Sequence, residues 1–281
     1  MPGTPSLLDV ASPYEAVVFD QWGVLHDGTV AYAGAAMAME RLRSAGKRLA
    51  VLSNSGKRAA RNVERIAAMG LPMDHVAVTM TSGEAFWSDC KAGLVDTGPM
   101  LAITGNPNDA KDWAKGLDAI FIDRIEDAQT VLLMGLPEGS DGSAEKKVLS
   151  KAAALGLPMI CTNPDRASPR ANGQLQLSPG ALAHDYRDQG GRVTFYGKPH
   201  RPIFDRLVAD LRVEPASCLM VGDSLEHDVA GAHGAGMASA LVTTGIHARK
   251  FAAADDAVAA ARSLAAEHVT APPTHVIASL V

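Results

Sequence analysis

Apolar runs that break off at a polar residue recur along this chain. Ala16-Val17-Val18-Phe19 stops at Asp20, and Arg48-Leu49-Ala50-Val51-Leu52 stops at Ser53-Asn54-Ser55. Val193-Thr194-Phe195-Tyr196 stops at Gly197-Lys198-Pro199, and Cys218-Leu219-Met220-Val221 at Gly222-Asp223-Ser224. Short continuous apolar runs bounded by Gly, Ser or Pro read as strands buried on both faces. Between them lie helical stretches, one Ala-rich around 35–45 and stopped by Gly46, another near 59–69 and stopped by Gly70 with Pro72 behind it. This alternation predicts an α/β fold with a doubly wound parallel sheet.

The segment between Ser53 and Lys198 is far longer than the roughly 15 residues a structureless connection reaches in a compact domain. It has its own alternation, with strands expected at 100–104, 119–122, 131–134 and 158–162 and helices near 109–115 and 144–155. An inserted α/β domain is therefore expected over 83–185, interrupting a core made of 1–82 and 186–281. A helix near 229–235, a strand at 238–242, one Ala-rich helix over about 252–268 and an edge strand at 275–277 complete that core.

The chemistry sits where the strands end, because open α/β sheets place their ligand crevice outside the carboxyl ends of the strands. If the four runs lie parallel in one sheet, Asp20, Ser53, Lys198 and Asp223 converge on one rim. A nucleophile, a hydroxyl donor, a cation and a metal ligand together form a set suited to phosphate. Asp228 follows Asp223 near the start of the next helix.

In this order the residues resemble the four motifs of the haloacid dehalogenase superfamily: the nucleophile Asp20, the hydroxyl residue Ser53, the lysine Lys198, and a G-D-x-x-x-x-D motif at Gly222, Asp223 and Asp228. The insertion and its Thr162-Asn163-Pro164-Asp165 tetrapeptide resemble the subgroup with a large α/β cap, which is p-nitrophenylphosphatase-like and nucleotide- or sugar-phosphatase-like. The resemblance implies a Mg²⁺-dependent phosphomonoesterase that forms an aspartyl-phosphate on Asp20. It implies that Ser53 and Asn54 bind the transferring phosphoryl group and that Lys198 neutralises its charge. Asp20, Asp223, Asp228 and the backbone carbonyl of Trp22 would hold Mg²⁺. From the cap, Asn163 and Asp165 would touch the substrate, with Arg166 and Arg170 facing a second anionic group. A homodimer through the cap is a further expectation of the same kind.

Trp22 departs from that pattern. Superfamily phosphatases carry an aspartate two residues after the nucleophile, which protonates the leaving alcohol and then activates water. An indole does neither, and His26 and Asp27 are the nearest substitutes. The departure opens two alternatives: a metal-independent dehalogenase-like hydrolase, whose aspartate attacks carbon, and a phosphoester-binding protein with weak turnover. Against the first stand Asp223 and Asp228, whose carboxylates repel the nucleophile unless a cation lies between them.

Composition narrows the partners. A formal net charge of −5 over 281 residues argues against nucleic acid, which is bound by clustered Lys and Arg. The one basic cluster, Lys57, Arg58, Arg61 and Arg65, has helical spacing and reads as a solvated face, with Lys57 or Arg58 placed to meet a substrate anion at the helix start. No apolar run approaches the roughly 20 residues that cross a bilayer, so no membrane partner is expected. The opening residues lack a secretory pattern, and a cytoplasmic location is expected. Cys90, Cys161 and Cys218 lie far apart, in neither a disulfide framework nor a zinc pattern. The expected partner is a small-molecule phosphate ester.

Overall fold

The computed structural model describes residues 5–169 and 175–280. The chain forms two compact units, one built from residues up to 53, 60–80 and 198 onward, the other from 54–59 and 81–197. In chain order the strands are β1 (Ala16–Asp20), β2 (Arg48–Ser53), β3 (Val76–Thr81), β4 (Met100–Ile103), β5 (Thr130–Leu133), β6 (Met159–Cys161), β7 (Ala167–Pro169), β8 (Leu175–Leu177), β9 (Val193–Phe195), β10 (Cys218–Gly222), β11 (Ala238–Val242) and β12 (His275–Ile277).

The first unit carries a six-stranded sheet in the order β12-β11-β10-β1-β2-β3, parallel from β12 through to β2. From β1 the chain moves outward through β2 and β3, then returns to the other side of β1 as β10. The order thus reverses between β1 and β10, the switch point where such sheets bind ligands. Register pairs Phe19 with Val221 and Asp20 with Leu52. Asp20, Ser53 and Asp223 therefore all emerge at one end of three adjacent strands.

Burial fixes that end. Val17, Val18 and Phe19 are fully buried, with Val17 and Phe19 in a core that includes Met39, Leu42 and Ile66. A second cluster packs Leu241 and Val276 against Phe251 and the Ala257–Glu267 helix. Each fully buried Val, Leu or Phe contributes about 1.5–3 kcal/mol, enough together to hold a carboxylate at the strand end despite its desolvation cost. Among the described residues, no helix is long and apolar enough to cross a membrane.

The second unit has a four-stranded parallel sheet, β4-β5-β6-β9, and an antiparallel β7–β8 pair. Its core joins Val131, Leu133, Cys161 and Phe195 to Leu149, Leu182 and Tyr186 of its helices.

Three expectations need correction. The run at 193–196 is a strand, but it pairs with β6 and not within the six-stranded sheet. An apolar run records that a strand is buried and not which sheet buries it; Phe195 packs in the second unit's core. The second compact unit accordingly runs on to 197, through this strand. At 119–122 no strand forms, only a single bridge between Phe121 and Met100. The long terminal helix is two, Ala248–Ala252 and Ala257–Glu267, because the Asp256 carboxylate accepts from Val258 N and Ala259 N and starts a new helix there.

Candidate active site

At the switch point Lys198 links two carboxylates. Its Nζ donates to Asp20 Oδ1 at 2.6 Å and to Asp228 Oδ1 at 2.7 Å. The other Asp228 oxygen, Oδ2, accepts the backbone N–H groups of Asp223 and Ser224, both at 3.1 Å. Asp223 Oδ2 accepts Ile246 N–H at 3.0 Å. One oxygen from each of Asp20, Asp223 and Asp228 lies within 4.8 Å of the others. Lys198, Asp223 and Asp228 are buried, whereas the Asp20 side chain keeps 15% exposure and is the carboxylate a ligand can reach.

Glycines make this crowding possible. A Cβ on Gly23 or on Gly245 would fall on the Asp223 carboxylate, and one on Gly222 would fall on the Asp228 side chain. Gly23 also has φ +82°, where a side chain costs about 1–2 kcal/mol of strain. Gly23→Ala should therefore lower Tm by about 2–8 °C and weaken Mg²⁺ binding at least about tenfold, since Asp223 must move. Thermal melts with and without Mg²⁺ check both effects. An unchanged Mg²⁺-dependent shift would show that Asp223 is not held by this contact.

Asp228 reaches the cluster from a π-helical turn, Leu225–Val229, which begins immediately after Ser224. Ser224 Oγ accepts His227 N–H and starts the turn. Single π turns inside helices are frequent at functional sites. Sequence periodicity reveals neither this turn nor the Ile246 N–H.

Burial raises the Asp20 pKa to about 7, with Lys198 pulling the other way. Burial likewise pushes Asp223 well above the usual carboxylate range, and the charges of Asp20 and Asp228 add to this. For Lys198 burial opposes the charge, but Asp20 and Asp228 outweigh it and raise its pKa. Three carboxylates against one ammonium leave two negative charges uncompensated in a closed space. A divalent cation with a preference for oxygen ligands matches that deficit, and Mg²⁺ fits the donor set. Asp20 and Asp223 would hold it, while Asp228, with both oxygens engaged, anchors Lys198 and the Asp223-Ser224 backbone.

Neither expected substitute for the missing acid is suited to the work. His26 is buried, and its Nδ1 accepts Gly28 N–H at 3.0 Å. The proton therefore sits on Nε2, itself buried, and burial, helped by Arg65, lowers the His26 pKa to about 4. The Asp27 carboxylate caps its own turn, accepting from Thr29 and Val30, which lowers its pKa to about 2. Sequence spacing placed both near Asp20 but did not reveal that one is core and the other a turn anchor.

His26 gives a pH prediction. Between about 6.5 and about 4 the unfolded chain takes a proton that the folded imidazole refuses, so stability falls as pH drops through that window. His26→Gln should flatten the Tm-against-pH slope there, and an unchanged slope would show that the imidazole is not held neutral.

The remaining candidates fall as follows. Ser53 ends β2 beside Asp20. Asn54 Nδ2 donates to Asp165 Oδ1 at 2.7 Å, and Asn163 Oδ1 accepts Asp165 N–H at 3.1 Å. The structure thus brings Asn54, Asn163 and Asp165 together as a hydrogen-bonded turn. Arg58 is committed to Glu84, at 2.7 and 3.0 Å, and lies 3.7 Å over the Trp87 ring, while Lys57 pairs with Asp109. Both residues of that pair are thus engaged within the second unit. Arg166 is exposed; Arg170 lies outside the described residues.

Comparison with known proteins covers the same ground. Profiles described as haloacid dehalogenase-like hydrolase match residues 17–110 and 106–236, and one described as HAD-hydrolase-like matches 195–281. Chronophin from Mus musculus is 29% identical over 248 residues, covering 86% of this chain and 85% of its own. A haloacid dehalogenase-like hydrolase from Brucella suis has a similar structure, with TM-score 0.81, 28% identity and coverage of 99% and 100%. A glycerol phosphate phosphatase from Mycobacterium tuberculosis, solved in complex with magnesium, shares the fold at TM-score 0.73 and 22% identity, covering 96% of this chain and 77% of that one.

Proposed function

The chain belongs to the haloacid dehalogenase superfamily of hydrolases, in the subgroup with the large α/β cap, and from that footing we propose that it is a Mg²⁺-dependent phosphomonoesterase of small phosphorylated metabolites. The observation that carries this is the Asp20–Lys198–Asp228 hydrogen-bonded chain, with Asp223 beside it, at the switch point of the sheet. A glycerol-3-phosphate phosphatase among the relatives and the magnesium complex of a structural neighbour support the same reading.

In the proposed reaction an Asp20 oxygen attacks phosphorus, and the new O–P bond forms as the P–O bond to the leaving group breaks. Water then attacks the phosphorus of the aspartyl-phosphate, releasing phosphate and restoring the carboxylate. Lys198 holds the carboxylate through Oδ1 and offsets charge on the transferring group. Ser53, beside Asp20 at the end of β2, donates to the phosphoryl oxygens. When bound, Mg²⁺ would offset phosphoryl charge and let the carboxylates share the space.

Without a proton donor beside Asp20, the leaving group decides the rate of the first step. Aryl phosphates should exceed unactivated alkyl phosphates in kcat/KM by about 10²–10⁴-fold beyond their solution difference, the usual contribution of general acid–base catalysis. On the alkyl esters the chain then behaves as a binding protein with slow turnover. Steady-state phosphate release on a panel of small esters with Mg²⁺ tests the reading. Turnover confined to 2-haloacids, with halide released and no metal needed, would replace phosphatase chemistry by the dehalogenase alternative.

A further inference from the structure

The Asn163-Pro164-Asp165 turn performs no step of the proposed reaction, yet the chain is built closely around it. It follows β6, where the Cys161 thiol donates to the Asn163 carbonyl at 3.2 Å. Its own bond from Asp165 N–H to Asn163 Oδ1, at 3.1 Å, closes it. The first turn of the helix Pro179–Asp188 comes so near that a Cβ on Gly180 would sit 2.0 Å from the Pro164 carbonyl oxygen and 2.5 Å from that of Asp165. The turn is therefore fixed by its own unit.

Two other segments of that unit rest on it. Asp165 Oδ1 accepts Asn54 Nδ2–H at 2.7 Å, and Asn54 is the residue after Ser53. The Pro164 ring fills the space a side chain would need at position 197: a Cβ on Gly197 would lie 2.3 Å from Pro164 Cδ and 2.7 Å from Ser82 Oγ. Gly197 is the residue before Lys198. Tyr196, just before it, is pinned as well, its N–H donating to the Cys161 carbonyl at 2.9 Å and its hydroxyl to Asp89 at 2.7 Å. Asn54 opens the second unit and Gly197 closes it, so one turn is seated on both residues that adjoin a phosphate-handling side chain. Consecutive Cα atoms stand only about 3.8 Å apart across a planar peptide. Few soft dihedrals therefore separate each gripped residue from Ser53 or Lys198.

From this arrangement we infer that Asp165 and Pro164 are positioning residues: Asp165 acts through Asn54 on Ser53, and Pro164 acts through Gly197 on Lys198. The inference rests on the phosphatase reading of Ser53 and Lys198. It gives the turn a task independent of the leaving group, in place of the substrate contact that the resemblance implies. The residue types suit that task. The proline ring has no side-chain rotamers to order and presents a preset face to Gly197, and the carboxylate takes the Asn54 amide in a charge-assisted bond. Misplacing a reacting group by 1 Å costs about 10²-fold in rate, so a contact one residue removed from the hydroxyl or the ammonium is enough to set the rate.

The probe is inorganic phosphate, which has no leaving group, and its Kd is measured by titration calorimetry in the presence of Mg²⁺. Asp165→Ala should raise that Kd about tenfold and lower kcat/KM for a small aryl phosphate by about 10²-fold, with the Mg²⁺-dependent shift in Tm unchanged. Asp165→Asn, whose amide oxygen still accepts from Asn54, should recover most of both losses. Gly197→Ala drives a methyl group into the Pro164 ring and should produce losses of the same kind. Adding Pro164→Ala, which removes the ring atoms that the methyl strikes, should restore part of them, the non-additivity expected of residues in contact. Should Gly197→Ala fail to fold, the two Asp165 variants still decide. Slower ester turnover in Asp165→Ala with phosphate Kd unchanged would place the residue on the leaving group and overturn the inference. A lower Tm with Kd and kcat/KM of the folded protein at wild-type values would make the turn a fold element only and also overturn it. Both outcomes leave the phosphatase reading standing. A wild type that neither binds phosphate nor hydrolyses esters would overturn that reading itself.

Discussion

Asp20→Asn should abolish phosphate release, with a loss on the order of 10⁴-fold or more, as expected when an enzyme loses its nucleophile. The amide keeps the size of the carboxylate but does not form the acyl-phosphate. Stability should move the other way. The Asp20 pKa is raised in the folded chain to about 7 by burial, so above the ordinary carboxylate value the folded state retains a proton that the unfolded state gives up. The carboxylate consequently costs stability as pH rises through that window. Metal-free Asp20→Asn at pH 8 should therefore melt no lower than the wild type, despite losing the charge that faces Lys198. Activity near the wild-type level would remove Asp20 from the mechanism. A collapse in Tm together with activity would mean that the residue serves the fold.

Chelation, or Asp223→Ala, should also eliminate turnover, by at least about 10³-fold. Asp223 is buried among two other carboxylates, its pKa pushed well up by burial and then by their charges, and it accepts Ile246 N–H while the Lys198 ammonium bonds Asp20 and Asp228. A divalent cation relieves that repulsion. Added Mg²⁺ should raise the wild-type Tm, by about 2.7 kcal/mol of stability at a hundredfold excess over Kd. The same addition should leave Asp223→Ala unmoved. Full turnover in excess chelator, or an equal Mg²⁺ shift in the variant, would show that the acid cluster does not bind the metal.

Some of this was legible in the sequence and some was not, for identifiable reasons. Asp20 and Asp223 stand out because an acid ending a fully apolar strand is poorly explained by folding, and parallel sheets deliver such residues to one edge. The α/β class followed from the alternation of runs. Lys198 was found by its Gly-Lys-Pro context, but the strand before it joins β6, since pairing partners are set by tertiary burial that periodicity does not record. The same limit explains His26 and Asp27. Position along the chain marked them as neighbours of Asp20, while burial of one and turn capping by the other emerge only from the folded loop. The absence of a proton donor at Trp22 was plain from residue type; the bond of its indole N–H to the Asp27 carbonyl was not. For Asn163 and Asp165 the bonds to each other and to Asn54 emerge only from the folded chain, because composition alone marks a polar turn without its partners.

The most direct test of the account is to trap the covalent intermediate. Enzyme quenched in acid during turnover of an aryl phosphate with Mg²⁺, then reduced with borohydride and digested, should show Asp20 converted to homoserine in the peptide spanning β1. The conversion should depend on substrate and vanish in Asp20→Asn. Steady turnover with an unmodified Asp20, or a phosphoryl group trapped on any other residue, would contradict the account.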